Sequence, residues 1–302
     1  MMKLKWMRVA ATGFVVALPL AGGAAELVPT LQLSTGVDYS SGDYGQSSST
    51  EVIVVPVSAK LVIGAWSLKA SLPYVTVSGP ANVSVIVDGS GGSSPNSGSE
   101  SPESPNSGSG RGATPGGSDT TTPTPTTGGT VASSRRSASG IGDASLALTY
   151  SINDIASSAV YADLTGRVKF STGSEGQGLG SGATDTFATS ELGWDAGGGG
   201  LFVNGGRRFL GSTATVPRRD GWQWGAGGWL LLNPALDLGL SYNGRQGATT
   251  GAGDSSAVEG SVTLRLAEAW QVTAYGGAGL SKASADYAGG LNLIWHANGR
   301  RR

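Results

Sequence analysis

The side chains best suited to acid–base or metal chemistry are scarce in this chain. It contains one histidine, His296, close to the C-terminal end, and no cysteine. A Ser-His-Asp hydrolase would have to use that histidine as its base, and a zinc site needs several nitrogen or sulfur ligands. We therefore expect no enzymatic activity, no metal and no cofactor. The absence of cysteine also excludes disulfides and thiolate metal sites.

Charged side chains gather instead on one face of a set of alternating segments. Counted by parity, thirteen formal charges share the polar face, while the apolar face carries only Arg207. If the segments enclose a lumen, the residues predicted to line it are Lys60, Lys69, Asp143, Asp163, Arg167, Lys169, Asp185, Glu191, Asp237, Glu259 and Arg265. These groups either line a permeation path or pair across strands and fill a narrow lumen. Acids and bases nearly balance, which argues against strong ion selectivity.

Twelve candidate β-strands hold these residues. Residues 222–242 show the pattern: apolar residues occupy every second position on both sides of an Asn-Pro turn, which indicates a β-hairpin. Tight turns follow the even strands and longer Ser/Gly-rich loops follow the odd ones, as in transmembrane barrels. The predicted strands are 30–39, 52–63, 66–74, 143–152, 160–170, 185–194, 201–210, 222–232, 236–242, 258–266, 270–280 and 287–295.

The apolar face would suit either a soluble core or a lipid bilayer, and two features favour lipid. A charge facing lipid near the midplane costs roughly 2–4 kcal/mol, so a face almost free of charge is expected of a lipid-facing surface. Large aromatic residues lie at or near strand ends rather than in strand centres, as interfacial girdles do. Trp229, on the polar parity, does not fit this pattern. The predicted interface residues are Tyr39, Trp66, Tyr74, Trp194, Trp222, Trp224, Tyr242, Trp270, Tyr287 and Trp295.

The N-terminus and one long low-complexity segment complete the predicted organisation. Lys3, Lys5 and Arg8 precede a short apolar run and small residues, which indicates a cleaved secretory signal over residues 1–25. Residues 26–77 would form barrel strands one to three, and residues 140–302 strands four to twelve. Residues 78–139 are rich in Ser, Gly, Pro and Thr and are predicted to be a disordered outer loop. The expected location is the outer membrane of a Gram-negative bacterium, with both termini periplasmic.

Partner predictions follow from local composition. Net charge is −1 and the bases are scattered, so nucleic acid is not expected. Arg207 and Arg208, with Arg218 and Arg219 on the same outer connection, either meet lipopolysaccharide phosphates in the outer-membrane lipid or are solvated arginines at a loop base. The glycine-rich residues 173–182 lack a following helix and are expected to be a flexible loop rather than a phosphate site.

Two motifs resemble a known family. "GIGDASLALTY" (140–150) and "ADLTGRVKFSTG" (162–173) are similar to outer-membrane proteins of the phenol-degradation meta-pathway family, with Ser171 where that family usually has proline. The resemblance implies a barrel with a role in uptake of aromatic or other small hydrophobic solutes. The segment "GLNLIW" (290–295) is similar to the terminal signal read by the barrel assembly machinery.

The sequence therefore predicts an all-β protein, a single transmembrane antiparallel barrel of about twelve strands with long outer loops. The expected function is a passive channel for a small, aromatic or hydrophobic solute. The alternatives are a structural or adhesive surface protein that displays the long loop, and a secreted soluble β-barrel.

Overall fold

A computed structural model describes residues 29–44, 48–80, 83–86, 122–125, 135–155, 158–213, 217–249 and 251–297. Their strands, in chain order, are β1 (Thr30–Gly42), β2 (Thr50–Ile63), β3 (Trp66–Pro80), β4 (Val83–Ile86), β5 (Thr122–Pro125), β6 (Arg135–Ile141), β7 (Ser145–Ile152), β8 (Val160–Lys169), β9 (Asp185–Asp195), β10 (Gly199–Phe209), β11 (Gly221–Asn233), β12 (Leu236–Arg245), β13 (Ser255–Ala267), β14 (Trp270–Gly279) and β15 (Tyr287–His296). No helix in these ranges is long and apolar enough to cross a membrane.

The strands close into an antiparallel barrel. Successive strands of the wall pair with each other, and β1 pairs with β15 from Gln32–His296 to Ser41–Tyr287, while β4 and β5 form a separate two-stranded sheet. The strands β6 and β7 both pair with β3, one above the other, so together they fill a single position in the wall. The barrel therefore has twelve strand positions, and the prediction of a twelve-strand barrel is confirmed.

The two ends of the barrel differ. One end, which we call the turn end, carries tight connections such as Gly64–Ala65, where Gly64 has a φ of 58°. The start of β1 and the end of β15 lie at this end. The other end, the loop end, carries the longer connections, among them residues 170–184 and 210–220. The alternation of turns and loops predicted from the sequence is present.

The faces of the strands are inverted relative to a soluble barrel. On β12, Leu240 is 62% exposed on the outside, while Asp237 is 1% exposed on the inside. The same alternation runs around the wall, with Leu, Val and aromatic side chains outward and Ser, Thr and charged side chains inward. This is the distribution of a transmembrane barrel, and it argues against the soluble alternative, whose apolar face would point inward.

The main differences from the predicted boundaries concern the fourth strand and the long loop. The predicted fourth strand, 143–152, is interrupted: Gly142 to Ala144 separate β6 from β7, and Asp143 lies in that break. The strands β3 and β6 extend to Pro80 and Arg135, so both ends of the predicted outer loop belong to the wall. Within the long loop, residues 83–86 pair with 122–125 in a separate two-stranded sheet. Residues 1–28, which include the predicted signal, and most of 87–134 lie outside the described residues.

Candidate functional site

The candidate site is the interior of the barrel. All eleven residues predicted to line a lumen lie on or beside the inward face of the strands; Asp143, Asp163, Lys169, Asp185, Glu191, Asp237 and Glu259 are at most 3% exposed. Lys69, Arg167 and Arg265 are partly exposed. The interior thus carries many polar and charged side chains, and it is closely packed in places.

At the loop end, four charges form a buried ion cluster. The Lys169 Nζ lies 2.5 Å from Asp143 Oδ2 and 3.0 Å from Asp185 Oδ2, and Arg218 Nη1 lies 2.7 Å from Asp185 Oδ1. The side chains are almost completely buried, so each charge depends on its partners for compensation. Both interpretations of Arg218 made from the sequence were wrong, because its guanidinium is neither solvated nor directed at lipid but paired with Asp185.

The glycine-rich residues 173–182 fold against the inside of the barrel at the ion cluster. The backbone N–H groups of Gly173 and Ser181 donate to the Asp143 carboxylate at 3.0 and 2.9 Å. A Cβ on Gly180 would lie 2.4 Å from Asp143 Oδ1, so only glycine fits there without a shift. The expectation of a loose loop is therefore wrong, since the segment is anchored through the carboxylate in the β6–β7 break.

This anchored segment packs on a cluster of buried apolar side chains inside the barrel at the loop end, which we call the apolar vestibule. Leu179 is 2% exposed and packs on Val52, Val54, Val75 and Val77, which point inward from β2 and β3. Inward-facing valines were not singled out in the sequence, although they lie on the polar parity of their strands and break its pattern. The vestibule is the apolar part of an otherwise polar interior wall on these two strands.

A second apolar feature, the aromatic layer, lies near the turn end. Tyr161, Phe202 and Trp229 are buried against one another. A Cβ on Gly193 would lie 2.2 Å from the Tyr161 ring, and one on Gly200 would lie 2.3 Å from the Trp229 ring, so rings lie flat over glycines of adjacent strands. Trp229, which did not fit the predicted girdle, belongs to this interior layer. The sequence feature that could have predicted this layer is the pairing of inward-facing aromatic residues with glycines on the adjacent strands.

One band of interior residues, which we call the threonine row, is partly exposed on every strand that it crosses from β7 to β12. Direct cross-strand partners join the members of this threonine row, which rises from near the turn end on β7 to the loop end on β12. Except for the Thr149–Thr165 hydroxyl bond of 2.8 Å, these side chains make few bonds to each other. All members are partly exposed inside the barrel: Thr149, Thr165, Thr189, Gly206, Gln223 and Arg245.

The remaining interior charges are held by local contacts. Arg265 binds Asp237 through two bonds of 2.6 and 2.5 Å, a bidentate ion pair. Glu191 accepts a bond of 2.9 Å from the Tyr161 hydroxyl, and Asp38 accepts one from Tyr275. These contacts correspond in part to the plugging interpretation made from the sequence, in which acids and bases pair across strands.

The predicted interface aromatics point outward. Exposed fractions range from 38% for Trp224 to 54% for Tyr287, and Tyr39, Trp66 and Trp295 are partly exposed. Neighbouring strands bring several of them into ring contact, as at Trp270–Trp295, 6.4 Å between centroids. Arg207, the charge predicted on this face, lies 5.1 Å from the Trp222 ring near the loop end. Glu51, at the loop end of β2, also lies on the outward face. The arrangement matches two aromatic bands separated by aliphatic residues.

Within the described ranges, no group of three or more His, Asp or Glu residues is placed to hold a metal ion. His296 is buried at the turn end, where Gln32 is its cross-strand partner.

Comparison with known proteins relates the barrel to channels. No protein-family model matches the chain, and no curated protein matches it. Among solved structures, it is similar to the COG4313 outer membrane channel from Pseudomonas putida F1, with a TM-score of 0.58 and 12% identity over 90% of this chain and 97% of that one. The NanC porin has a TM-score of 0.47 and 8% identity over 87% and 97%. At such identity the similarity concerns the fold alone: this chain has the twelve-stranded barrel fold of an outer-membrane channel.

Proposed function

We propose that this protein is a passive outer-membrane channel for small solutes. The observation that carries the proposal is the threonine row, a band of partly exposed hydroxyl, amide and guanidinium groups that continues from near the turn end to the loop end inside a closed barrel. A filled structural barrel has no need of such a band, whereas a channel needs polar groups along its whole length.

The apolar exterior supports a location in the outer membrane of a Gram-negative bacterium, reached by means of the predicted N-terminal signal. Strands of 10–15 residues, such as β12 and β3, are long enough for a tilted crossing, which needs about 9–11 residues. Around the wall, outward residues are mostly aliphatic at mid-height, and aromatic residues lie near both ends. Lipid and lipopolysaccharide would surround this face, and the barrel assembly machinery would insert it.

The apolar vestibule supports small aromatic or hydrophobic solutes as cargo. Leu179 covers the four buried valines at the loop end, and the aromatic layer is buried near the turn end, so a solute would contact these groups where their side chains move aside. Burial of apolar surface at these two places would favour solutes with an apolar body. The same solute class is implied by the motifs at 140–150 and 162–173, which resemble the phenol-degradation meta-pathway family.

Planar-bilayer recording tests the channel directly. We expect the refolded protein to give stepwise conductance in KCl. A variant in which a two-residue Asn-Gly turn replaces residues 87–121 should give the same conductance, because such a turn can join the direct partners Ile86 and Thr122 and keep β4 paired with β5. Protein denatured by boiling serves as the control. A correctly folded barrel that stays electrically silent would contradict the channel. Loss of cell-surface adhesion in the deletion variant, with no conductance in either protein, would favour the surface-display alternative.

A further inference from the structure

Four arginines lie at the end of β10 and on the connection to β11, and the structure gives them different surroundings. Arg208 is buried on the inward face, and Arg218 belongs to the ion cluster. Arg207 lies on the outward face of β10, and Arg219 is exposed on the connection. Two of the four bases are therefore accessible to a group outside the barrel.

Arg207 lies on the lipid-facing surface at the height of the aromatic residues of the loop end. Its direct partner on β11 is Trp222, and its Cζ atom lies 5.1 Å from the centre of that ring. Phe209, which is 46% exposed, lies two positions further towards the loop end. A charge on a lipid-facing surface is costly at the bilayer midplane and much less so near the interface. The position of Arg207 is therefore that of a base at the headgroup level of the membrane.

The Arg207 guanidinium has donors that the protein does not use. Among the described residues it forms no ion pair, and its side-chain contact is the Trp222 ring. A guanidinium carries five N–H donors and no acceptor, and at the membrane surface the acceptors are headgroups and water. The contact with the ring holds the guanidinium in place, so less conformational freedom is lost when it binds an acceptor from the membrane.

The surface on the side of Arg207 opposite Trp222 is open. The direct partner there is Ala188 on β9, and the next residue across the wall is Gly166 on β8. Both are exposed, and a Cβ on Gly166 would meet nothing within 4 Å. Thr186, two positions from Ala188 towards the loop end, is an exposed residue with a hydroxyl group. A headgroup can therefore approach Arg207 without displacing a large side chain.

Arg219 adds a second, weaker base above Arg207. It lies three residues before the cross-strand partner of Arg207, at most about 10 Å along an extended chain. Its Nε donates to the Gly247 carbonyl at 3.1 Å, and the N–H of Gly247 donates to Asp254 at 3.0 Å. Asp220 follows Arg219 directly in the chain. These two acids reduce the positive field at Arg219, so Arg207 is the principal base of this surface.

We propose that Arg207 and Trp222, with Thr186 and Arg219 beside them, bind a phosphate group of lipid A, the membrane anchor of lipopolysaccharide. Arginine can bind phosphate through two parallel hydrogen bonds, and these are stronger than bonds between neutral groups. The acyl chains of the same lipid would lie along the apolar outer wall below Arg207. The proposal rests on the outer-membrane location proposed above, with the loop end outward, and does not depend on channel activity.

Native mass spectrometry of the refolded protein in detergent micelles tests this site. Lipid A is the probe, and lipid A without its phosphates is the matched lipid. We expect the wild type to prefer lipid A by about tenfold or more, because the charge-assisted bonds are lost with the phosphates. Inorganic phosphate should not displace lipid A, since it lacks the apolar chains that contact the wall.

Single variants identify the residues that bind the phosphate. Arg207→Gln should lose most of the preference, and Arg219→Gln a smaller part of it. Arg207→Lys keeps the charge but not the paired donors, so its preference should lie between those of the wild type and Arg207→Gln. Lys282→Gln removes an exposed loop base and is the matched control, which should bind lipid A as the wild type does. Circular dichroism checks that each variant is folded.

The outcomes separate the lipid site from the channel. Equal binding of the two lipids by the wild type would overturn the phosphate site, as would a preference that survives in Arg207→Gln. Displacement of lipid A by an equal concentration of phosphatidylglycerol, or by inorganic phosphate, would overturn lipopolysaccharide as the ligand. A barrel with the expected lipid A preference but no conductance would overturn the channel and leave the lipid site in place.

Discussion

Lys169 lies at the centre of the buried ion cluster. It is completely buried and contacts two carboxylates, Asp143 and Asp185, that would otherwise face each other across a dry space. Removal of one partner from a buried ion network leaves uncompensated charge, which is far more harmful than loss of an exposed pair.

We expect Lys169→Met to lower the free energy of unfolding by about 3–5 kcal/mol. Lys282→Met, which removes an exposed lysine from a loop, should change it little. Urea titration of the protein in lipid vesicles, followed by tryptophan fluorescence, measures both. Equal stabilities for the two variants would show that the ion cluster does not stabilise the barrel.

Glycines under aromatic rings give a second test at the residue scale. A Cβ on Gly193 would meet the Tyr161 ring at 2.2 Å, whereas a Cβ on Gly166 meets nothing within 4 Å. Gly193→Ala should therefore destabilise the barrel by about 1–3 kcal/mol through overpacking, and Gly166→Ala should not. In a Tyr161→Ala background the cost of Gly193→Ala should largely disappear. A cost that persists in this double-mutant cycle would place the strain in the backbone instead.

At the scale of elements, alternation and turn chemistry were sufficient to predict the strands. Leu236 to Tyr242 alternate cleanly and lie on β12 as expected. The β6–β7 break was not predictable, because it is stabilised by Asp143 bonds to residues 173 and 181, some 30 and 38 positions away. The inward fold of residues 173–182 and the pairing of Arg218 depend on the same distant contacts. Local sequence patterns predict where the strands lie, whereas contacts across the interior form only when the barrel closes and cannot be predicted from them.

The anchored segment 173–182 can be displaced by a single side chain. Gly180→Val would place a Cβ against Asp143 and the Gly173 backbone, so the segment must lift away from the β6–β7 break. Gly176→Val is a matched control, because a Cβ there meets nothing within 4 Å. We expect brief proteolysis of the purified protein to cut within 173–182 in the Gly180 variant only. The same variant should show a larger conductance, because Leu179 leaves the vestibule. Resistance to protease equal to that of the wild type would show that the segment tolerates the added bulk in place.

At the scale of the whole molecule, the sequence alone could not establish whether the apolar face of the strands meets lipid or forms a soluble core. The position of the aromatic residues was the main evidence for lipid. In the structure, the apolar residues of each alternating strand point outward, and the charged residues point into the barrel. This is the arrangement of a barrel surrounded by lipid. What the sequence could not provide was the relation between rows. Register between Lys60 and Lys69, or between Ala147 and Arg167, follows from turn geometry and barrel shear rather than from any local pattern.

The orientation of the barrel in the membrane gives the last prediction, and the absence of cysteine makes it accessible. Lys282→Cys places a thiol on an exposed connection at the loop end, and Ala235→Cys places one on an exposed turn at the turn end. If the loop end faces outward, a membrane-impermeant maleimide should label the first variant on intact cells. The second should react only after the outer membrane is permeabilised, and the unmodified chain should not react at all. The opposite labelling would mean that the barrel is inverted, and solutes would then meet the aromatic layer before the apolar vestibule. Labelling of both variants in the soluble periplasmic fraction would contradict membrane insertion altogether.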